Sequence, residues 1–228
     1  TNILAFQELA SSLEKNFYFY YMSKIHLLVL DIGNTRTKYG YFRRNVLKES
    51  GVCSDWSKEK WVSFHQKAPF TTVLVANVGA STNQILSFLP KSCNVAFVDD
   101  FTKYPFTTDY DEINNLGIDR RAALCGAMAT HPNTPLLVID AGSCITYDFI
   151  YANGHHAGGA ISPGRSMRYD ALHMFTANLP LLDPTEEVPA IGTSTSSSMF
   201  LGVEAGIISE IQAHIEVFIQ KFGDFTII

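Results

Sequence analysis

Two short segments carry the residue types that phosphoryl chemistry needs. Asp31-Ile32-Gly33-Asn34-Thr35-Arg36-Thr37-Lys38 follows the apolar run Leu28-Val29-Leu30, and Asp140-Ala141-Gly142-Ser143-Cys144-Ile145-Thr146 follows Leu137-Val138-Ile139. Each reads as a buried strand ending in Asp-x-Gly and small hydroxyl or amide residues, then a second strand. Such a turn points backbone N–H groups at an anion and sets a carboxylate beside it to hold a metal ion. Gly33 permits positive φ and close approach of a phosphate, Asn34 and Thr35 offer hydrogen bonds, and Lys38 offers a cation. In the second copy Gly142 has the place of Gly33, and Ser143 and Thr146 either reach the nucleotide or support the turn. Taken singly, Asp31 closes a plain β-turn and Asp140 is a strand-ending residue bonded to turn N–H groups. Asp140 follows Asp31 by 109 residues (140 − 31), about one small domain. The repeat favours two turns gripping one nucleotide's phosphates across a cleft, each aspartate near a cation.

Gly117-Ile118-Asp119-Arg120 is a third candidate. Asp119 opens a helix, where spacing alone favours an N-cap over a general base, and the two roles are compatible. The Arg120 guanidinium suits a carboxylate or phosphate. Gly158-Gly159 and Pro163-Gly164 either let backbone approach a ligand or simply end a strand and begin a helix. Neither Gly-x-x-x-x-Gly-Lys-Ser/Thr nor Gly-x-Gly-x-x-Gly occurs, so the two common nucleotide loops do not apply. The seven histidines form no ligand-spaced set, and His155-His156 after a turn reads as solvated, so no zinc site is expected.

Composition limits the rest. With 228 residues, 46% hydrophobic and 17% charged, the chain reads as an ordered soluble protein of one large domain or two small ones. A net charge of −5 argues against nucleic-acid binding through bulk charge. Cys53, Cys93, Cys125 and Cys144 show neither Cys-x-x-Cys spacing nor disulfide density, which suits a reducing cytoplasm. No run of about 20 apolar residues is present, so no membrane span is expected. The aromatic run Phe17 to Tyr21 is followed by Ser23, Lys24 and His26, which break any signal-peptide core.

The elements that must hold these residues follow from periodicity. Strands are expected at about 26–33, 36–43, 46–52, 72–78 and 95–98, with helices at 56–66 and 83–89. A polar, aromatic loop over 99–117 is long enough to suggest function. A helix over 120–129 precedes strands at 136–140, 144–151 and 156–161. Pro163-Gly164 begins a helix with Met167, Ala171, Phe175 and Leu179 at spacing four. The last helix presents Val203, Ile207, Ile211 and Ile215, with Ile208 and Ile219 alongside, as a broad apolar face. Phe225 to Ile228 is a final strand. Three strands, helix, strand, helix, strand, occurring twice, is the pattern of two ribonuclease-H-like units, an α/β fold. The expected boundaries are an extension without assigned role over 1–21, a first unit over 22–117 and a second over 118–228. The second unit lacks its closing helix within these 228 residues.

From about Ile25 onward the sequence resembles the type III pantothenate kinases, of the acetate and sugar kinase, Hsp70 and actin superfamily. Asp31 to Lys38 matches the family's first phosphate motif, and Leu116-Gly117-Ile118-Asp119-Arg120 its Gly-x-Asp-Arg segment. Asp140-Ala141-Gly142-Ser143 resembles the second motif, with serine where threonine is usual. Gly158 to Gly164 matches the glycine-rich stretch, and Gly192-Thr193-Ser194-Thr195 a substrate-contacting segment. Tyr110 falls at an aromatic position of the pantothenate pocket, without the proline usual soon after it; the family's Thr-Gly-Gly element would follow Ile228. The resemblance implies an actin-like ATPase fold with a nucleotide cleft between its units, and ATP-dependent phosphorylation of pantothenate at the start of coenzyme A biosynthesis. It implies Asp119 as proton acceptor, and Asp31, Gly33, Asn34, Thr35, Lys38, Gly142 and Ser143 around ATP. Tyr110, Gly117, Ile118, Asp119, Arg120 and Thr195 would contact pantothenate. Magnesium near Asp31, potassium or ammonium near Asp140, a homodimer and a cytoplasmic location are implied as well. Two other readings stand beside it: a non-catalytic regulatory or binding homologue, and a kinase of the superfamily acting on a different small molecule.

Overall fold

A computed structural model of the chain describes residues 26–32, 37–43, 46–53, 57–76, 82–98, 104–185 and 187–228. The extension 1–21 and the turn residues Gly33, Asn34 and Thr35 lie outside the described residues. Two compact units are present, Thr1–Pro132 and Asn133–Ile228.

The first unit begins with an antiparallel meander of β1 (His26–Ile32), β2 (Thr37–Arg43) and β3 (Val46–Cys53). Helix α1 (Lys58–Lys67) leads to β4 (Thr72–Ala76), and α2 (Thr82–Ser87) to β5 (Asn94–Phe97). The sheet order is β3-β2-β1-β4-β5, with β4 parallel to β1 and β5 parallel to β4. Leu28, Val29 and Leu30 are buried, as a central strand covered on both faces requires. Ser57 caps α1 by accepting from the Lys60 amide at 3.3 Å. The helix buries Trp61 against Phe70, ring centroids 6.0 Å apart, in a core shared with Leu28, Leu30, Val73 and Val75. A two-residue strand β6 (Thr107–Thr108), a 3-10 turn at Ile113–Asn115 and helix α3 (Ile118–Thr130) complete the unit.

The boundary expected near Gly117 therefore lies instead after Pro132. Helix α3 stays with the segment before it because Arg120 and Arg121 are tied to Tyr110, Tyr104 and Asn114. An apolar periodicity shows that a helix exists, but not which neighbours claim it.

The second unit repeats the opening: β7 (Leu136–Ala141), β8 (Cys144–Ile150) and β9 (His155–Pro163) form an antiparallel meander. Helices α4 (Arg165–Met174) and α5 (Thr195–Phe222) follow, then β10 (Thr226–Ile227), parallel to β7 as β4 is to β1. The expected final strand is thus present. Ile145, Tyr147 and Phe149 alternate along β8 and, with Leu137, pack against Ile207, Ile211, Ile215, Phe218 and Phe222 of α5. Ile208 and Ile219 are exposed, at 58% and 48%, because one further step of about 100° carries each off that stripe. Helix α4 stops at Met174, so Phe175 is its C-cap and largely exposed, and Leu179 lies beyond the helix. His156 is not solvated. It points inward from β9, fully buried, with Nε2 2.8 Å from the Asp148 carboxylate. The fold is α/β, with ribonuclease-H-like strand order in each of the two units.

Candidate active site

Asp31 is buried near the end of β1, directly opposite Lys38 on β2 and beside Ala76 on β4. Opposed residues of an antiparallel pair project from the same face, so the carboxylate and the ammonium share one side of the hairpin mouth. Asp140 takes the equivalent place on β7, opposite Thr146 of β8. A two-residue turn, Gly142-Ser143, joins those strands, and the Gly142 amide donates to the Cys144 carbonyl at 2.8 Å. Asp140 is half-buried, whereas Gly142 and Ser143 are exposed.

The corner between β9 and α4 is built onto this turn. The Gly164 amide donates to the Ser143 carbonyl at 3.0 Å. A Cβ at residue 164 would lie 2.3 Å from the Gly142 carbonyl oxygen and 2.4 Å from that of Ser143, so only glycine fits. Of the two roles open to Pro163-Gly164 from sequence, the strand end and helix entry is the one present: Pro163 closes β9 and Gly164 is the N-cap of α4, its backbone packed on the turn.

The third cluster surrounds the start of α3. Gly117 occupies the N-cap, and Asp119 is the second helical residue. Asp119 is therefore not the cap: its Oδ1 accepts from the Arg120 amide at 2.9 Å and folds back over Gly117. Its second oxygen carries no hydrogen bond among the described residues. The helix N-terminus favours its negative charge. Arg120 is buried; its Nη1 donates to the Tyr110 hydroxyl at 2.8 Å, and its guanidinium carbon lies 5.5 Å from the Tyr110 ring centre. This combines a charged hydrogen bond with a cation–π contact and fixes the plane of the guanidinium. Behind it, Arg121 donates to the Tyr104 hydroxyl and to Asn114, anchoring the aromatic loop to the helix. Sequence reasoning passed over Arg121, Tyr104 and Asn114; the signal was an Arg-Arg pair after a loop rich in aromatic residues.

Thr195 is the first residue of α5, after a capping box in which Ser194 accepts from the Ser197 amide and the Ser197 hydroxyl bonds the Ser194 amide. It stands exposed beside a cavity of about 1160 Å³ within the second unit, walled by Met167, Ala171, Phe175, Leu179, Met199 and Val203. The structure thus assembles Tyr110, Gly117, Ile118, Asp119 and Arg120 in one cluster. Asp140, Gly142 and Ser143 share a second, Asp31 and Lys38 a third, and Thr195 borders the cavity.

The sequence profile of the type III pantothenate kinases matches residues 27–217, a span that contains every one of these positions. The chain belongs to that family. It is 39% identical over 204 residues to the type III pantothenate kinase of Christiangramia forsetii, covering 88% of this chain and 84% of the relative. It is 35% identical to that of Flavobacterium psychrophilum, covering 89% and 85%. Among solved structures, a Baf-family protein of Campylobacter jejuni superposes with a TM-score of 0.52 at 21% identity, covering 88% of this chain and 89% of that one. That likeness concerns the fold.

Proposed function

We propose that Asp119 is the proton acceptor, and Arg120 with Tyr110 the substrate clamp, in the reaction of this family. That reaction is the ATP-dependent phosphorylation of pantothenate to 4'-phosphopantothenate, which opens coenzyme A biosynthesis. The observation that carries the assignment is the Asp119 carboxylate, in the first turn of α3 beside a buried arginine already oriented by Tyr110. Asp119 takes the proton of pantothenate's primary hydroxyl as its oxygen bonds to the γ-phosphorus. The bond from that phosphorus to the β–γ bridging oxygen breaks, and ADP leaves. Arg120 offers an oriented positive charge to the substrate's carboxylate, Gly117 and Ile118 line the approach, and Thr195 offers a hydroxyl. Positioning and fixed charge supply most of the acceleration in phosphoryl transfer.

The ATP phosphates belong at the paired turns, with Gly33, Asn34, Thr35 and Lys38 on one and Gly142 and Ser143 on the other. Asp31 and Asp140 are hard oxygen donors standing next to those turns, the donor chemistry that magnesium and a monovalent cation prefer. Asp31 would hold magnesium and Asp140 potassium or ammonium; bound there, these ions neutralise charge on the triphosphate. Asp140→Asn is accordingly expected to raise the potassium concentration for half-maximal activity by roughly tenfold, read from a titration at saturating ATP. Arg120→Lys keeps the charge and loses the fork, so the KM for pantothenate should rise about 10-fold or more while that for ATP stays near wild type.

A cytoplasmic homodimer without nucleic-acid partners completes the reading. Four cysteines outside any disulfide and a net charge of −5 support it, as do the exposed apolar residues Met174, Phe175 and Val217. No helix among the described residues is long and apolar enough to cross a membrane. The deciding assay is ADP release in ATP, Mg²⁺ and K⁺, with and without pantothenate. Release only with pantothenate supports the reading; hydrolysis indifferent to pantothenate, or none at all, ends it.

A further inference from the structure

Helix α5 carries two carboxylates, six residues apart, that both reach α4 (Arg165–Met174). Glu204 accepts from Arg165 Nε at 2.8 Å and from the Tyr169 hydroxyl at 2.7 Å. Glu210 accepts from Arg168 Nη2 at 2.6 Å, from the Tyr147 hydroxyl at 3.1 Å and, by a short bond, from the Ser162 hydroxyl. Arginines in the first four residues of a helix oppose the macrodipole, so their presence there calls for anionic partners. Arg168 also reaches backward: its Nε donates to the Pro163 carbonyl at 2.8 Å. Glu210 thus holds the strand end at Ser162 directly and at Pro163 through Arg168. The next residue, Gly164, is the one whose backbone presses against the Gly142 and Ser143 carbonyls. Register places the same two segments side by side, Ser162 opposite Ile145 and Pro163 opposite Cys144.

We propose that Glu210 is a positioning residue for the nucleotide-binding turn Gly142-Ser143, acting through Ser162, Arg168 and the Gly164 backbone. The inference rests on the assignment of that turn to ATP. Helix α5 is the fixed side of the linkage, because Ile207, Ile211 and Phe218 bury it against β8 on either side of Glu210. The corner is the part to be positioned. Burial works against charge on Glu210, but hydrogen bonds from Ser162, Arg168 and Tyr147 outweigh it and hold the carboxyl below its usual value. Glu210 is therefore ionised at neutral pH, and the pull on Arg168 is permanent. Ion pairs to outer partners of this kind set the affinity of the groups they orient.

The test is steady-state kinetics of Glu210→Gln, which keeps the shape and removes the charge. The KM for ATP should rise roughly 10-fold, while the KM for pantothenate stays within about twofold. Arg168→Lys, which keeps the charge but loses the bond to the Pro163 carbonyl, should reproduce the same split. The double variant should be no worse than the poorer single one. A fall in melting temperature with both KM values unchanged, or with both raised equally, overturns the proposal, since a purely structural role predicts those results. Ser143→Ala and Gly164→Ala separate the two layers of the argument. If they raise the KM for ATP and Glu210→Gln does not, the linkage is wrong and the turn stands. If none of the variants moves that KM, the assignment of the turn itself is wrong. Should Glu210→Gln fail to fold, Arg168→Lys decides on the same criterion.

Discussion

Replacing Asp119 with asparagine is expected to lower kcat by at least about 100-fold, the lower end for loss of a general base, with the fold retained. In energy this is about 3 kcal/mol of barrier or more, at roughly 1.4 kcal/mol per factor of ten. Asparagine keeps an oxygen for the Arg120 amide that Oδ1 now accepts at 2.9 Å, so the first turn of α3 and the Arg120–Tyr110 pair should survive. What disappears is a group able to take a proton, together with a negative charge at the helix start, worth about 0.3–1 kcal/mol. The melting temperature should therefore fall by no more than about 4 °C at this chain length. Kinetics and a circular-dichroism melt on the same preparation read both quantities. The two readings of Asp119 separate cleanly: a helix-end role alone is served as well by asparagine, so a kcat within tenfold of wild type would return the residue to that lesser role.

The second large effect is on stability. Phe149 is fully buried on β8, stacked on Phe222 with centroids 4.0 Å apart and ringed by Phe218 and Phe225. Truncation to alanine removes the ring and leaves a cavity between β8 and α5, a loss of about 3–5 kcal/mol. The urea midpoint should move by that amount divided by the slope, with the slope itself unchanged. Ile208→Ala is the matched control: Ile208 belongs to the same helix but faces outward, so its loss should cost within about 0.5 kcal/mol. Equal losses for the two would mean that the buried face of α5 has been misassigned. Because Thr195, Glu204 and Glu210 all belong to α5, Phe149→Ala should also impair activity at temperatures where the fold persists.

How far the sequence alone could reach depends on the range of the interaction. The repeated strands were legible because β1, β4 and β8 are buried almost throughout and β7 over its first half, which writes continuous apolar runs into the sequence. The Asp-x-Gly turns were legible because strand end, carboxylate and glycine are contiguous. Tyr110 and Arg120 stand ten residues apart, and only the folded loop brings the phenol hydroxyl to the guanidinium. The burial of His156 leaves no local sign, because its partner Asp148 lies on the neighbouring strand, past a register shift between Phe149 and Ile150. Glu210 left no local sign, since its partners are 42, 48 and 63 positions away and its helix reads as a plain amphipathic one. Phe175 fitted a four-residue spacing that continued after the backbone had left the helix.

Gly164 holds no reactive atom, yet any side chain there, down to a single methyl, collides with two carbonyl oxygens. In a saturation scan this position should therefore be as intolerant as Asp119, the proposed proton acceptor, for a reason that is purely steric. On the proposed assignment of this turn to ATP, divergence toward a different phosphoryl donor would have to leave that backbone contact alone and proceed through exposed positions such as 143.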